Sequence, residues 1–108
     1  MSEANKINII AGLFTAYDYE SISITNTVTG LTEARYLDSD GFYAKRIVIA
    51  VETAQIRYRY DGGNPSASEG MPANPMDIII LKGSSNIKNF KAIRTGSTSA
   101  ALRIIYEK

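Results

Sequence analysis

Apolar and polar side chains alternate along several short segments of this chain, and turns rich in glycine or proline separate the segments. Between Ala54 and Tyr60 every second residue is apolar or aromatic, and Arg57 and Arg59 lie between them. A period of two with β-branched and aromatic residues is typical of a half-buried strand. This pattern constrains the fold more than any other feature of the sequence, and it predicts strands.

Turn signals recur about every 8 to 12 residues, which is the spacing expected of a sandwich or a small barrel. We predict strands over residues 5–16, 21–29, 42–51, 54–60, 76–82, 90–95 and 100–106. The apolar phase flips between Val51 and Ala54, so a turn or bulge is expected at Glu52 and Thr53. The sequence therefore predicts an all-β, single-domain β-sandwich over residues 1–108, Ig-like or jelly-roll-like, with about 7–8 antiparallel strands.

Residues 31–37 form the one stretch that fits either a helical turn or a strand. Thr32 is suited to cap a helix, and Glu33, Ala34 and Arg35 are good helix formers. The sequence leaves both readings open.

Several predicted strands carry apolar residues on both faces. The run from Ile78 to Leu81 does not alternate, so both faces of this strand are predicted to be buried. A two-sheet sandwich buries only the inner face of each sheet. We therefore expect a partner subunit to cover the outer face, in a homo-oligomer such as a trimer or in a subunit docked on a larger shell.

Composition excludes several kinds of site. The 108 residues include no cysteine and no histidine, which removes disulfides, zinc–thiolate sites and the commonest general base. A net charge of +1 gives no overall field to attract nucleic acid or an anionic membrane. The start MSEANKINII lacks the features of a signal peptide, and no apolar run approaches the roughly 20 residues of a membrane span. We predict a protein made in the cytoplasm that is no enzyme and uses no cofactor.

Each candidate site has a plainer structural explanation. The run Asp38-Ser39-Asp40-Gly41 begins like a calcium loop, but Ile49 occupies the twelfth position, where a glutamate belongs, so a plain turn and no metal site are predicted. Tyr58 and Tyr60 would suit a sugar platform, but they share a face with Ile56, which favours packing. Asp61 is predicted to serve a turn.

Six residues form the candidate interface or ligand surface. Loops flank the four aromatic ones, and the two arginines lie opposite the apolar face of their strand, where they would bind anions or form interface salt bridges. The six are Tyr17, Tyr19, Phe42, Tyr43, Arg57 and Arg59.

Two motifs carry a resemblance to known families. Residues 56–65, IRYRYDGGNP, resemble the I-x-Y-x-x-D-G-x-x-P pattern of the immunoglobulin-like modules at the end of chitobiase-type enzymes, although Gly63 stands where that pattern usually has serine. Residues 90–98, FKAIRTGST, resemble a late segment of small virion proteins of tailed bacteriophages. The resemblance covers about residues 45–108, with residues 80–81 and 87–93 similar to the strands that follow the loop. It implies a β-sandwich whose loop is held by the aspartate and stiffened by the proline.

Three functions follow as expectations. The first is a structural subunit of a bacteriophage virion, such as a capsid decoration, head or neck protein, whose partners are itself and other virion proteins. The second is a carbohydrate-binding or adhesion module. The third is an enzyme, for which the sequence offers no catalytic residue. We favour the first, and we expect neither a nucleic-acid nor a membrane partner.

Overall fold

The computed structural model describes residues 14–37, 41 and 43–108. Residues 5–13 of the strand predicted over residues 5–16, residues 38–40 of the turn predicted over residues 38–41, and Phe42 lie outside the described residues. The described strands are β1 (Ala16–Ile24), β2 (Thr29–Gly30), β3 (Arg46–Glu52), β4 (Ile56–Arg59), β5 (Met71–Ala73), β6 (Ile78–Lys82), β7 (Lys91–Arg94) and β8 (Ala100–Glu107). The described helices are α1 (Glu33–Tyr36) and α2 (Ser84–Asn89).

The strands form two four-stranded sheets. Sheet A has the order β1-β8-β3-β6, and sheet B has the order β2-β7-β4-β5. All the strand pairs are antiparallel, and β1 pairs with β8, β2 with β7, β3 with β6 and β4 with β5. The chain thus runs like one long hairpin wound across two sheets, which is the jelly-roll arrangement. The predicted all-β sandwich is confirmed, and its topology is that of the jelly roll.

The core lies between the two sheets. The alternation predicted for the last strand is confirmed, since Leu102, Ile104 and Tyr106 of β8 are each 0% exposed while Arg103 points outward. Sheet B contributes Ile56, and the other buried residues of the core come from both sheets, from α1 and α2, and from the segments beside β3 and β7. Each buried isoleucine or leucine is worth about 1.5–3 kcal/mol relative to an exposed one, so this alternation is what holds the sheets together.

The phase flip after Val51 marks the passage of the chain from one sheet to the other. Thr53 has a φ of +79°, and the backbone N–H of Ala54 donates to the carbonyl of Glu52 at 3.0 Å. The predicted turn is therefore present. The turn ends β3 in sheet A, where the odd-numbered residues point into the core. In β4 the even-numbered residues then point into the same core.

Two segments contain helix. Residues 33–36 form the single helical turn α1, which Thr32 precedes. The carbonyl of Thr32 accepts a hydrogen bond from the N–H of Arg35 at 2.9 Å, and its side chain makes no capping bond. β7 confirms the strand predicted over residues 90–95, whereas α2 occupies residues 84–89, so the strand that the resemblance implies over residues 87–93 is absent from its first part. Five of the seven residues 83–89 are Gly, Ser or Asn, a composition that favours strand termination.

The prediction that both faces of the strand at residues 78–81 are buried is wrong for the single chain. Ile79 and Leu81 point into the core at 8% and 5% exposure, whereas Ile78 and Ile80 are 58% and 57% exposed. Ile78 and Ile80 point to the outer face of sheet A, over which the described chain places no second sheet. The apolar run thus marks an open surface of the described chain.

Candidate interaction surfaces

The outer face of sheet A carries an apolar row that crosses all four strands. The strand registers place Tyr19 opposite Ile105, Ile105 opposite Val48, and Val48 opposite Ile80. Tyr19, Ile105 and Ile80 are 52%, 41% and 57% exposed. The next row brings Ile78 beside Ala50. Single exposed apolar residues are ordinary, but a contiguous set of this kind is typical of an interaction surface.

Ion pairs flank this apolar row on both sides. Arg46 pairs with Glu107, and the ring of Phe14 lies 4.2 Å from the Arg46 guanidinium carbon. Beyond the opposite side, Nε of Arg103 donates to Oε1 of Glu52 at 2.9 Å. The exposed pair of Arg103 and Glu52 contributes at most about 1 kcal/mol, whereas the pair of Arg46 and Glu107 is partly buried. Their effect here is that they leave the middle of the face apolar between charged margins.

The outer face of sheet B is cationic and is covered by the loop that connects β4 to β5. Nη1 of Arg57 donates to the carbonyl of Gly70 at 2.7 Å, and Nζ of Lys91 donates to Oδ1 of Asn64 at 3.2 Å. The loop thus supplies oxygen acceptors to the cations beneath it. Arg57 and Arg59 are used mainly to hold this loop on the sheet.

Asp61 has the turn role that the sequence predicts. Its carboxylate accepts two bonds from the Arg59 guanidinium, at 3.0 and 2.6 Å, and one from the backbone N–H of Gly63 at 3.2 Å. The hydrogen bonds from Arg59, followed by that from Gly63, lower the pKa of Asp61 to about 2. A carboxylate with these partners is ionised across the physiological range and fixes the start of the loop.

Gly63 makes room for this ion pair. A Cβ placed on Gly63 would lie 2.3 Å from Nη2 and 2.5 Å from the guanidinium carbon of Arg59. Glycine therefore lets Arg59 lie against the backbone while it binds Asp61.

A shallow cavity of about 410 Å³ lies where this loop meets β4 and β5. Its lining combines an aromatic ring, a thioether and two carboxylates, from Arg59, Tyr60, Asp61, Glu69, Gly70 and Met71. The ring of Tyr60 stacks on Tyr58 with centroids 6.3 Å apart, and Tyr60 is 39% exposed. Tyr58 in turn packs on Phe90 of the core, which fixes the cavity wall.

The residues predicted as a candidate surface are distributed over different parts of the fold. Tyr19 lies on the outer face of sheet A, whereas Arg57 and Arg59 belong to sheet B. Tyr17 is half-buried in β1, where its hydroxyl donates to the carbonyl of Arg35 at 2.7 Å. Tyr43 stacks on Tyr36 at 6.2 Å between centroids and is 42% exposed.

The structure therefore does not unite these residues in one surface, and Phe42 lies outside the described residues. The residues that sequence reasoning left out of the candidate set are Ile78, Ile80 and Ile105. Their signal was present in the non-alternating runs, which were assigned to burial.

Other kinds of site were sought in the described part of the chain. Within residues 14–37, 41 and 43–108, no group of three or more aspartate or glutamate residues is arranged to hold a metal ion. Among the helices described, none has the length and apolar character needed to cross a membrane. Searches against protein-family models, curated proteins and solved structures found no match.

Proposed function

We propose that this protein is a non-catalytic assembly subunit of a bacteriophage virion and acts through protein–protein contacts. The apolar row on the outer face of sheet A carries the proposal. It places Tyr19, Ile105 and Ile80 on one open face between charged margins. Such a face gains stability when a neighbouring protein covers it, at about 25 cal/mol for each Å² of apolar surface removed from water.

Two further features support the proposal. The jelly-roll arrangement is common among capsid proteins, although it also serves lectins and other proteins, so it supports the assignment only as an analogy. The assignment to a bacteriophage depends on the resemblance of residues 90–98. These residues comprise Phe90, which follows α2, then β7, and then the turn before β8.

The direct test is the presence of the protein in purified particles. We expect mass spectrometry of density-purified virions from the host that carries the gene to find it in a fixed ratio to the major shell protein. A particle preparation without it would overturn the proposal.

A variant pair then tests the surface. Ile105→Lys places a charge in the centre of the apolar row and should reduce incorporation into particles. Ala67→Lys, in the exposed loop over sheet B, is the matched control and should leave incorporation unchanged. Equal incorporation of both variants would show that this face is not the contact.

The cavity beside Tyr60 favours a second function, a carbohydrate-binding module. A ring face with carboxylate acceptors beside it is the arrangement that proteins use to stack on a sugar and bind its hydroxyls. A glycan array tests this, with Tyr60→Ala as the variant that should abolish any signal. An array without binding would remove the carbohydrate function and leave the assembly function unaffected.

A further inference from the structure

Among the residues that the structure describes, no strand pairs with the outer edge of β6, so this edge offers unpaired backbone groups. The N–H of Val51 donates to the carbonyl of Asp77, and the N–H of Gly83 donates to the carbonyl of Lys45. Because bonding direction alternates along an antiparallel strand, residues 77, 79, 81 and 83 face β3. Ile78, Ile80 and Lys82 therefore direct their N–H and C=O groups away from the sheet. The carbonyl of Lys82 accepts from Nδ2 of Asn86 at 2.9 Å, which leaves Ile78 and Ile80 as the open part of the edge.

The other three sheet edges carry features that hinder strand pairing. β2 has only two residues, and β5 has three with Pro72 in the middle. β1 has an irregular register between Ala16 and Asp18, and α1 contacts it through the bond from Tyr17 to Arg35. Short strands, proline, bulges and covering segments are the usual means by which proteins block an edge. β6 has five residues with neither proline nor glycine and carries a charge only at its last residue.

We propose that two copies of this chain pair through β6, antiparallel about a two-fold axis at Ile79, so that the two A sheets join into one sheet of eight strands. In this register Ile78 of each copy lies opposite Ile80 of the other. All four outward groups, the N–H and C=O of both residues, then find partners, and the capped carbonyl of Lys82 is not needed. The inference rests on the proposed function, since it names a second copy as the partner of an assembly subunit.

The arrangement is self-complementary, as a two-fold contact requires. The side chains of Ile78 and Ile80 are 58% and 57% exposed in the single chain, and pairing places all four from the two copies side by side. Cross-strand apolar pairs of this kind stabilise a sheet in addition to the backbone bonds. The joined sheet also brings the apolar outer-face residues of both copies together at the contact, where Ile80 of one copy meets Ile78 of the other, and this gives a neighbouring virion protein a wider surface.

Sedimentation equilibrium with two variants tests the contact. The double variant Ile78→Lys/Ile80→Lys places lysines directly opposite each other across the axis, and we expect its dimer dissociation constant to rise about a hundredfold or more. The control is Tyr19→Lys, at the far end of the same row on β1 and 52% exposed. It should leave the dissociation constant within about threefold, because β1 lies at the opposite edge of sheet A.

Hydrogen exchange gives a second measurement that does not depend on a variant. The amides of Ile78 and Ile80 should be protected in the dimer and exchange rapidly on dilution to monomer. A wild-type chain that stays monomeric at about 100 μM, where a micromolar contact would be formed, would overturn the proposal. A dimer whose β6 amides exchange freely would also overturn the proposal. The same holds for a dimer that Tyr19→Lys dissociates as strongly as the double variant does, since that result indicates that the outer faces of the A sheets pack on each other. A β6-paired dimer absent from virions would refute the proposed function alone.

Discussion

The substitution Gly63→Ala tests how the loop over sheet B is held. The added Cβ would lie 2.3 Å from Nη2 of Arg59, whereas ordinary contact begins near 3.4 Å, so the guanidinium must move by about 1 Å. A displacement of that size breaks the two-point contact with Asp61, whose bonds are now 3.0 and 2.6 Å long. Gly63 is not at positive φ, so alanine adds no backbone strain there.

The measurable consequence is the pKa of Asp61. The hydrogen bonds from Arg59 lower this pKa most, and the hydrogen bond from the N–H of Gly63 comes next. Together with weaker effects they hold the pKa of Asp61 at about 2. Gly63→Ala removes the first cause and keeps the second. We therefore expect the pKa of Asp61 to rise by about one and to stay below the ordinary aspartate value of 3.8.

Carbon-detected NMR titration of the Asp61 carboxyl measures this shift. Arg59→Ala should give a similar rise, and adding Gly63→Ala to Arg59→Ala should change nothing further, because both act through one contact. Gly96→Ala is the matched control, since no atom lies within 4 Å of its added Cβ. A pKa that stays at about 2 in Gly63→Ala would refute the reasoning.

The same shift predicts a pH dependence. The folded-state pKa of Asp61 lies below the value of the unfolded chain, so its carboxylate stabilises the fold above about pH 4. That contribution is lost as the pH falls towards 2. Urea unfolding between pH 5 and 2 should therefore show a smaller decrease in stability for Gly63→Ala than for the wild type.

Four further substitutions test the two faces of β8 and the loop over sheet B. Tyr106→Phe removes the hydrogen bond from the tyrosine hydroxyl to Oε1 of Glu20 at 2.8 Å, and the substitution should lower the free energy of unfolding by about 1 kcal/mol. Burial raises the pKa of Tyr106 above 10.0, so the wild type loses stability above pH 10. The phenylalanine variant should lose less stability there, as measured by urea unfolding. Leu102→Ala should lower the free energy of unfolding by about 2–5 kcal/mol, because Leu102 is 0% exposed. Ile105→Ala should lower it by under about 1 kcal/mol, because Ile105 is 41% exposed. Equal losses for the two variants would contradict the assigned faces of β8. Gly70→Ala should cost about 1–3 kcal/mol by thermal unfolding, since Gly70 has a φ of +127° and an added Cβ would lie 3.1 Å from the carbonyl of Tyr58; an unchanged melting temperature would contradict this loop conformation.

The candidate surface shows why sequence reasoning succeeded for some residues and failed for others. Asp61 was assigned correctly to a turn, because its partner Gly63 lies two residues away and local spacing decides the bond. Tyr17 was assigned to a surface and is half-buried, because its neighbours Arg35 and Tyr106 come from distant parts of the chain. No local pattern contains that information.

The sequence by itself determined the strands and the inward faces of most of them. Alternation is a property of neighbouring residues, and a strand's two faces follow from it directly. The order of the strands was decided only by the tertiary structure. A non-alternating run such as Ile78–Leu81 reads the same whether or not a second layer covers the outer face of its sheet. Ile78 and Ile80 are exposed because the described chain places no layer over that face of sheet A, and Ile105 of the central strand β8 is exposed for the same reason. The physical reason is that burial depends on which segments meet across the sheets, and those contacts join residues far apart in the chain.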